Sequence, residues 1–450
     1  MVRTWSGAAL LLLAAAAVFP ETPAAPDPAL GFDLLLNKAY LPAALDQEAF
    51  DAVWQVWPEP LRSLAKNASP ARRRRMAYER YGLDPRPGDP QKRPLQYVVG
   101  RDGSWTMNCL LCHGGQVARL VWPGLPNSNL ALQTLTSEIR LTKLRMKKKL
   151  ADMDLGSLVM PLGTTNGTTN AVMFGVALMH GRDQDLKPTI RSRPLEMDHH
   201  DMDAPPWWHF KKKKRLYADN FAAKSHRSLM QFMLVPDNSG AQIRAWEDEF
   251  RHIFAYLETI RPPKWPHRVD AKLAARGKRV FEKHCARCHG RYGDRPSYPE
   301  KVVPLDELGT DPVRLKALRA WQRREYGKSW FTDYGKNPVV VEPVGYVAPP
   351  LDGIWASAPY FHNGSVPTLW HVLHPEDRPK VWRRTPRGYD RARVGLEIKE
   401  LAEMPERLTD AAQRTYFDAR VRGKSAAGHT FPDDLTEPQK IALLEYLKTL

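Results

Sequence analysis

The chain has few cysteines and no long hydrophobic run. Only four cysteines occur in 450 residues, too few for the dense disulfide framework of a small secreted domain. No window is as long and apolar as the roughly 20 residues that a membrane-spanning helix needs. Hydrophobic residues at 43% and charged residues at 26% exclude a wholly disordered chain. Because the length exceeds that of one usual domain, we predict two or more domains.

The first residues have the pattern of a secretory signal. Arg3 precedes a short apolar stretch at residues 8–19, and the small residues Thr22 and Ala24 offer a cleavage site. We predict a signal peptide at residues 1–24 and a mature chain that is periplasmic or secreted from a bacterium. An uncleaved anchor is the alternative.

The four cysteines form two pairs, and a histidine follows each pair directly. The two motifs are Cys109, Cys112 and His113, and Cys285, Cys288 and His289. Two cysteines three positions apart reach both vinyl groups of one haem, and the next histidine binds the iron. A zinc site would group four ligands at closer spacing, and a redox dithiol would lack the histidine. We therefore predict two covalently bound haem c groups, with His113 and His289 as iron ligands.

A second repeat divides the chain into two haem units. Residues 255–260 match residues 445–450, and both copies close an apolar helical pattern. The proline-rich residues 261–266 interrupt the helix between the units. We predict an N-terminal haem domain at 25–261, a linker at 262–268 and a C-terminal cytochrome c domain at 269–450. The predicted fold class is mainly α: two cytochrome c-like helical domains with long proline-rich loops, each around one covalent haem.

Two helices of the second unit are predicted from local patterns. Gly277 and Phe281 lie on one face of a helix that leads into the second cysteine motif. Thr436 is the expected N-cap of the last helix, and Gln439 completes a capping box. We expect these two helices to pack against each other beside a haem.

The C-terminal unit resembles a known superfamily. Residues 346–369, YVAPPLDGIWASAPYFHNGSVPTL, and residues 425–450 resemble segments of the haem-containing rubber oxygenases, the dihaem cytochrome c peroxidases and the MauG-type enzymes. The resemblance implies that His429 is the distal ligand of the second haem, which would then be bound by two histidines. A surface histidine in a glycine-rich loop is the other interpretation of His429. His362 is the rival ligand, to which we assign a supporting role, such as hydrogen bonding to a propionate or a water.

The first unit has no counterpart of His429. The matching position before its terminal helix is Ser239, which is no strong iron ligand. The first haem is therefore expected to have an open sixth position that binds O₂ or peroxide. Four residues remain as ligands that would close it: Met230, Met233, His209 and His226.

Aromatic and basic residues between the motifs are candidates for the distal pocket of the first haem. The candidates are Trp207, Trp208, Phe221, His226 and Arg227. The two tryptophans would line the pocket or relay electrons between the haems, with an aromatic anchor in the core as the alternative. A cationic Arg227 would stabilise negative charge that develops on a bound oxygen species.

These patterns predict an exported dihaem c-type cytochrome with electron transfer activity. As a peroxidase-like or oxygenase-like oxidoreductase, it would relay electrons through the C-terminal haem and react at the N-terminal haem. The alternative is a pure periplasmic electron carrier with both haems six-coordinate. We interpret the net charge of +17 as solvated basic faces or a docking surface for an acidic redox partner, with contact to a membrane or polymer as the alternative. The basic runs at 72–75, 147–149 and 211–215 lie far apart and carry no nucleic-acid-binding signature, so we expect no nucleic acid. We also expect no transmembrane span in the mature chain.

Overall fold

The computed structural model of the protein describes residues 25–450. The predicted signal peptide, residues 1–24, lies outside the described residues. Within them, no helix combines the length and apolarity required to cross a bilayer.

The mainly helical fold predicted from the sequence is wrong. Helices make up 41% of the structure, and 14% of it is strand in many small sheets. Most strands have only two to four residues. Such strands are too short for the alternation of apolar and polar residues to be recognised in the sequence. The longest strand, Val381–Asp390, has a register shift between Arg384 and Tyr389 that breaks its alternation, and this hid its hairpin in the sequence.

Short helices and strands alternate along the described part of the chain. The α-helices are α1 (Pro28–Asn37), α2 (Gln47–Ala52), α3 (Leu61–Lys66), α4 (Pro70–Tyr81), α5 (Leu110–His113), α6 (Leu132–Arg145), α7 (Asp152–Val159), α8 (Ala171–His180), α9 (Gly240–Ala245), α10 (Glu247–Thr259), α11 (Ala271–His284), α12 (Ala286–His289), α13 (Leu305–Leu308), α14 (Val313–Ala317), α15 (Ala320–Gly327), α16 (Leu369–Leu373), α17 (Asp410–Gln413) and α18 (Glu437–Leu447). The 3₁₀ helices are Val53–Val56, Trp207–Lys212, Arg227–Leu229, Gln231–Met233, Trp330–Thr332, Ile354–Ala356, Pro375–Asp377 and Phe431–Asp434. The strands are β1 (Leu45–Asp46), β2 (Tyr97–Val99), β3 (Ser104–Met107), β4 (Gly114–Val117), β5 (Leu120–Pro123), β6 (Thr168–Thr169), β7 (Met202–Asp203), β8 (Arg215–Leu216), β9 (Ala222–Ala223), β10 (Val302–Pro304), β11 (Gly345–Val347), β12 (Val381–Asp390), β13 (Gly395–Leu401) and β14 (Tyr416–Asp418).

All strand pairs in these sheets are antiparallel. The three-stranded sheets have the orders β1-β3-β2 and β13-β12-β14, and the strand pairs β4-β5, β6-β7, β8-β9 and β10-β11 form the remaining sheets of the described chain. In the longest hairpin, Val381 pairs with Leu401 and Asp390 pairs with Gly395.

One helix pair holds the N-terminal part together. Asp27 caps α1 through its side chain, and α1 packs against α10. The two backbones approach closely at Gly31, where an added Cβ would meet the backbone of His252. Stacking of Phe32 on Tyr256, with ring centroids 4.8 Å apart, extends the contact.

A second helix pair, α11 with α18, also packs closely at a glycine. Its close approach is at Gly277, where a Cβ would meet the backbone of Ala442. Phe281 packs on Tyr446 with ring centroids 5.4 Å apart. The capping box of Thr436 and Gln439 is present. The two local helix predictions and their mutual packing are thus confirmed.

The two halves of the chain share one core. A single buried cluster includes residues from α1 and α10 as well as from α11 and α18, and a smaller cluster occupies residues 45–139. The β12–β13 hairpin also reaches back to the N-terminal half. In it, Arg387 donates to the Asp84 carboxylate at 2.7 Å and to the Leu83 carbonyl at 2.9 Å. The predicted domain boundaries stay predictions, and residues 262–268 have no helix or strand.

Candidate haem sites

The first cysteine motif presents its histidine with a defined orientation. Cys109 precedes α5, and His113 ends it. The His113 Nδ1 lies 3.0 Å from the carbonyl oxygen of Pro205. A carbonyl can only accept a hydrogen bond, so Nδ1 carries the hydrogen and Nε2 keeps the lone pair that binds a metal. The Trp207 ring stacks on the imidazole at 4.8 Å with an interplanar angle of 22°.

The second motif repeats this arrangement. Cys285 precedes α12, and His289 ends it. The His289 Nδ1 lies 2.9 Å from the carbonyl oxygen of Pro349. Burial lowers the pKa of His113 to about 4 and lowers that of His289 as well. Both imidazoles are therefore neutral, which is the form that binds metals.

The two acceptor carbonyls belong to a repeat that the sequence-based predictions missed. Pro205 and Pro349 are each the first proline of an Ala-Pro-Pro tripeptide, at residues 204–206 and 348–350. A hydrogen bond to the outer nitrogen of a metal-binding histidine fixes its tautomer and ring orientation. The repeated tripeptide was the signal that could have revealed these residues.

Both motifs open into one large cavity of about 1350 Å³. This volume exceeds the usual ~300–1,000 Å³ of a pocket for one small ligand. Its wall is mostly apolar and includes all six residues of the two motifs, namely Cys109, Cys112, His113, Cys285, Cys288 and His289. We call this space the haem cavity, because it has the size and the polarity that covalent haem would fill.

The four cysteines are not paired with one another and do not form a metal cluster. No disulfide joins any of the four, and burial raises the pKa of the Cys109 thiol to about 11 and that of Cys112 to about 12. In residues 25–450, no group of three or more His, Cys, Asp or Glu side chains is arranged to hold a metal ion. This result disfavours the zinc alternative, which needs four grouped ligands.

His429 faces His289 across the cavity. The ring centroids are 6.2 Å apart and the planes are inclined by 63°. Two imidazoles that bind one metal ion from opposite sides, each about 2 Å from it, place their centroids on the order of 6 Å apart. Burial and the neighbouring His289 lower the pKa of His429 to about 3, so its ring is neutral. Its Nδ1 is buried without a partner among the described residues.

The backbone around His429 is held by several contacts. His429 has a φ of 50°, in the left-handed region, which persists only where the surroundings impose it. Its N–H donates to the Leu308 carbonyl at 2.8 Å. The Arg378 guanidinium donates to the carbonyls of Ala426 at 2.7 Å and Gly428 at 2.6 Å. Arg378 is thus a positioning residue for the His429 loop.

His362 also lines the cavity, but its ring contacts a tyrosine and not a second histidine. Its ring stacks on Tyr346 at a centroid distance of 4.3 Å. Its Nε2 is buried without a partner among residues 25–450, and burial lowers the pKa of His362 to about 3. An unpartnered imidazole nitrogen in a cavity wall can hydrogen-bond to a bound group.

Comparison with known proteins finds a similar segment beyond the second cysteine motif. Residues 345–383 match the family described as RoxA-like, cytochrome c-like. The match supports a relationship between this segment and the cytochrome c-like domains. Such a domain implies a haem c cofactor, and the matched residues include Pro349, His362 and Arg378.

Two proteins of Sinorhizobium fredii (strain NBRC 101917 / NGR234) are also similar to this chain. The uncharacterized protein y4iJ is 29% identical over 259 residues, which cover 42% of this chain and 41% of that protein. The uncharacterized protein y4iM is 29% identical over 199 residues, which cover 39% of this chain and 44% of that protein. The chain thus spans about two fifths of the length of the curated relatives it matches.

The structure places the residues predicted for a distal pocket in different environments. Trp207 lines the haem cavity. Trp208 lies behind it and donates from Nε1 to the Asp352 carbonyl at 2.6 Å. Phe221 packs on Tyr326 with ring centroids 4.9 Å apart and is not part of the described cavity wall.

His226 and Arg227 are bound away from the cavity. The His226 Nε2 donates to the Glu247 carboxylate at 2.8 Å, and Arg227 donates to the same oxygen at 2.7 Å. Arg227 also lies over the Trp330 ring at 4.6 Å. Neither residue is among those that line the haem cavity. Only Trp207 of the five candidates is therefore brought to the haem motifs.

The residues predicted as alternative ligands of the first haem also differ in whether they line the cavity. Met230 is fully buried in the core, whereas Met233 lines the cavity. His209 also lines the cavity, and its Nε2 donates to the Asp352 carbonyl at 3.0 Å, which leaves only Nδ1 with a lone pair. Ser239, at the position that matches His429, caps α9 by accepting from the Gln242 N–H.

Proposed function

We propose that the chain is an exported cytochrome that carries two covalent haem c groups and acts as an oxidoreductase. The observation that carries the proposal occurs twice in the structure: a proline carbonyl accepts a hydrogen bond from the histidine of a Cys-x-x-Cys-His motif. Both motifs face the same cavity. Within residues 25–450, a further histidine, His429, faces the ring of His289, whereas the ring stacked on His113 is that of Trp207. The matched segment at 345–383 supports the haem c assignment, and the residues 1–24 support export.

The chain's own residues would hold and orient the cofactors. The cysteine thiols attach each haem, and His113 and His289 offer Nε2 to the irons because Pro205 and Pro349 hold Nδ1. Haem c supplies one-electron transfer and, at a free coordination position, binding of O₂ or peroxide. A second imidazole from His429 favours electron transfer at the second site.

A contact chain links the two proximal histidines. Trp207 stacks on His113, and the adjacent Trp208 donates to the carbonyl of Asp352. Asp352 follows Pro349, the acceptor of His289, by three positions in the same loop. This short path supports electron relay between the haems, and the surface charge supports an acidic redox partner.

Counting the haems is the first test. The holoprotein should contain two haems per chain by the pyridine haemochrome assay and by intact mass. Replacement of Cys285 and Cys288 by alanine should leave one haem, and the matched pair Cys109→Ala with Cys112→Ala should leave the other. A single haem in the unaltered protein would refute the dihaem proposal.

Electron paramagnetic resonance separates the oxidoreductase from a pure electron carrier. The oxidised protein should show a high-spin ferric signal from the first haem that shifts on addition of azide or peroxide, together with one low-spin signal. His429→Ala should convert the low-spin haem to high spin, whereas the control His226→Ala, which lies outside the cavity, should leave both signals unchanged. Two low-spin signals that ignore azide would support a carrier instead, with Met233 or His209 as the closing ligand.

A further inference from the structure

A buried ion cluster lies beside the haem cavity. Asp219 is fully buried and pairs with Arg314 at 3.0 Å and with Arg323 at 2.5 Å. The side chains of Arg314 and Arg323 are 1% and 0% exposed. Although burial raises the pKa of Asp219, the two arginines outweigh this effect and lower it, so the carboxylate is ionised. Two positive charges and one negative charge leave the cluster with one uncompensated positive charge.

The two arginines differ in how far their donors are satisfied. Arg323 donates from Nε to the Leu318 carbonyl at 3.0 Å and from Nη1 to the Val340 carbonyl at 3.1 Å. The Nε and Nη1 of Arg314 are buried and have no partner among the described residues. Burying these N–H groups of a cation without an acceptor is costly, because they lose the water that would otherwise hydrate them. An acceptor from outside the chain would remove this cost.

The unsatisfied arginine lines a cavity of its own. This space, the Arg314 cavity, has a volume of about 50 Å³. Val172, Tyr217 and Gln231 line both this cavity and the haem cavity, so the two spaces share a wall. A buried water needs on the order of 10–15 Å³, and the Arg314 cavity therefore accommodates a short carboxylate group.

The rest of the wall suits a carboxylate with a small apolar body. The indole N–H of Trp321 is a further buried donor without a partner in the described chain. The other two charged groups, Arg191 and Glu325, pair with each other at 2.9 Å and leave the excess charge of the Arg314 cluster in place. Val176 and Leu318 supply apolar surface.

We propose that the Arg314 cavity binds a carboxylate whose oxygens accept from the unpartnered N–H groups of Arg314. Two sources have this chemistry: a haem propionate that passes the shared wall, and a free short-chain carboxylate that enters as a ligand. The inference does not depend on whether the first haem is reactive. Failure of the proposed oxidoreductase activity would leave it intact.

The test compares Arg314→Gln with a matched control in the holoprotein. The control is Arg191→Gln, which removes the same charge from the same wall but from a residue already paired with Glu325. Two quantities are measured for each protein: the thermal midpoint as a function of added sodium acetate at constant ionic strength, and the propionate bending bands in the resonance Raman spectrum.

The two sources give different results. A free carboxylate site predicts a saturable rise of the midpoint with acetate in the unaltered protein and in Arg191→Gln, and its loss in Arg314→Gln. A propionate site predicts no acetate response, with shifted propionate bands in Arg314→Gln only. If acetate has no effect and the Raman spectra of all three proteins agree, the proposal is overturned. Should Arg314→Gln fail to fold, Arg314→Lys serves in its place: it keeps the positive charge but lacks the planar fork of N–H donors, so the acetate response should be weakened and the propionate bands shifted in this variant too.

Discussion

The close approach of α11 and α18 at Gly277 allows a quantitative prediction. An alanine Cβ at this position would lie 2.5 Å from the Ala442 carbonyl carbon and 2.8 Å from the Tyr446 Cβ, whereas ordinary contact begins near 3.4 Å. The obstructing atoms are mainly helix backbone, which cannot rotate away as a flexible side chain would. Gly277→Ala therefore forces the two helices apart.

The size of the effect follows from two opposing contributions. Overpacking against backbone should cost about 3 kcal/mol, the upper end of the usual range. The higher helix propensity of alanine should stabilise the folded state by about 1 kcal/mol. The expected loss is about 2 kcal/mol of unfolding free energy, which is a change of roughly 30-fold in the unfolding equilibrium constant.

Urea unfolding followed by far-UV circular dichroism measures this loss. The Soret band should shift as well, because Leu443 and Leu447 on α18 line the haem cavity. The matched control is Gly175→Ala in α8, where the nearest heavy atom to a new Cβ is 3.7 Å away; it should be neutral or slightly stabilising. Equal stability of Gly277→Ala and the unaltered protein would refute the close helix contact.

Three further perturbations test the surroundings of the cavity. Arg378→Gln should weaken the His429 loop and produce a partly high-spin haem, visible in the absorption spectrum, whereas an unchanged spectrum would remove its positioning role. Burial raises the pKa of the Asp203 carboxyl well above its usual range. The folded protein therefore holds the carboxyl proton more tightly than the unfolded chain does. The free energy of unfolding should consequently fall as pH rises above about 4, the unfolded value, towards the folded pKa. Asp203→Asn should flatten that part of the profile of thermal midpoint against pH, and an unchanged slope would contradict this. Asp154→Asn removes the negative charge that pairs with the buried Lys143 at 2.5 Å, and the uncompensated lysine charge should cost about 3–5 kcal/mol in urea unfolding. A loss below about 1 kcal/mol would show that the amide oxygen and the Ala44 carbonyl suffice for this lysine.

Local features were predictable because their cause lies within a few residues. The helix at Gly277 and Phe281 follows from the 3.6-residue period of one face, and the start of α18 follows from the capping box of Thr436 and Gln439. The fold class was mispredicted because the strands are short, and because β12 contains a register shift between Arg384 and Tyr389 that breaks its alternation.

The candidate distal residues show where sequence proximity fails. His226 and Arg227 follow the tryptophan pair closely in the chain, yet both turn to Glu247. A carboxylate some twenty positions away binds them, and no pattern around residue 226 reveals that partner. Trp207 is at the cavity because its neighbour Pro205 is fixed by His113.

By itself, the sequence determined the two cysteine motifs with adjacent histidines, and their spacing alone predicts covalent haem attachment. The tertiary structure decided which groups complete each site. Residues that are distant in the chain meet in each case: the proline carbonyls bind the motif histidines, His429 faces His289, and Arg314 pairs with Asp219. Such contacts depend on how loops without a regular period pack around a shared cavity, and no local pattern of residues encodes that packing.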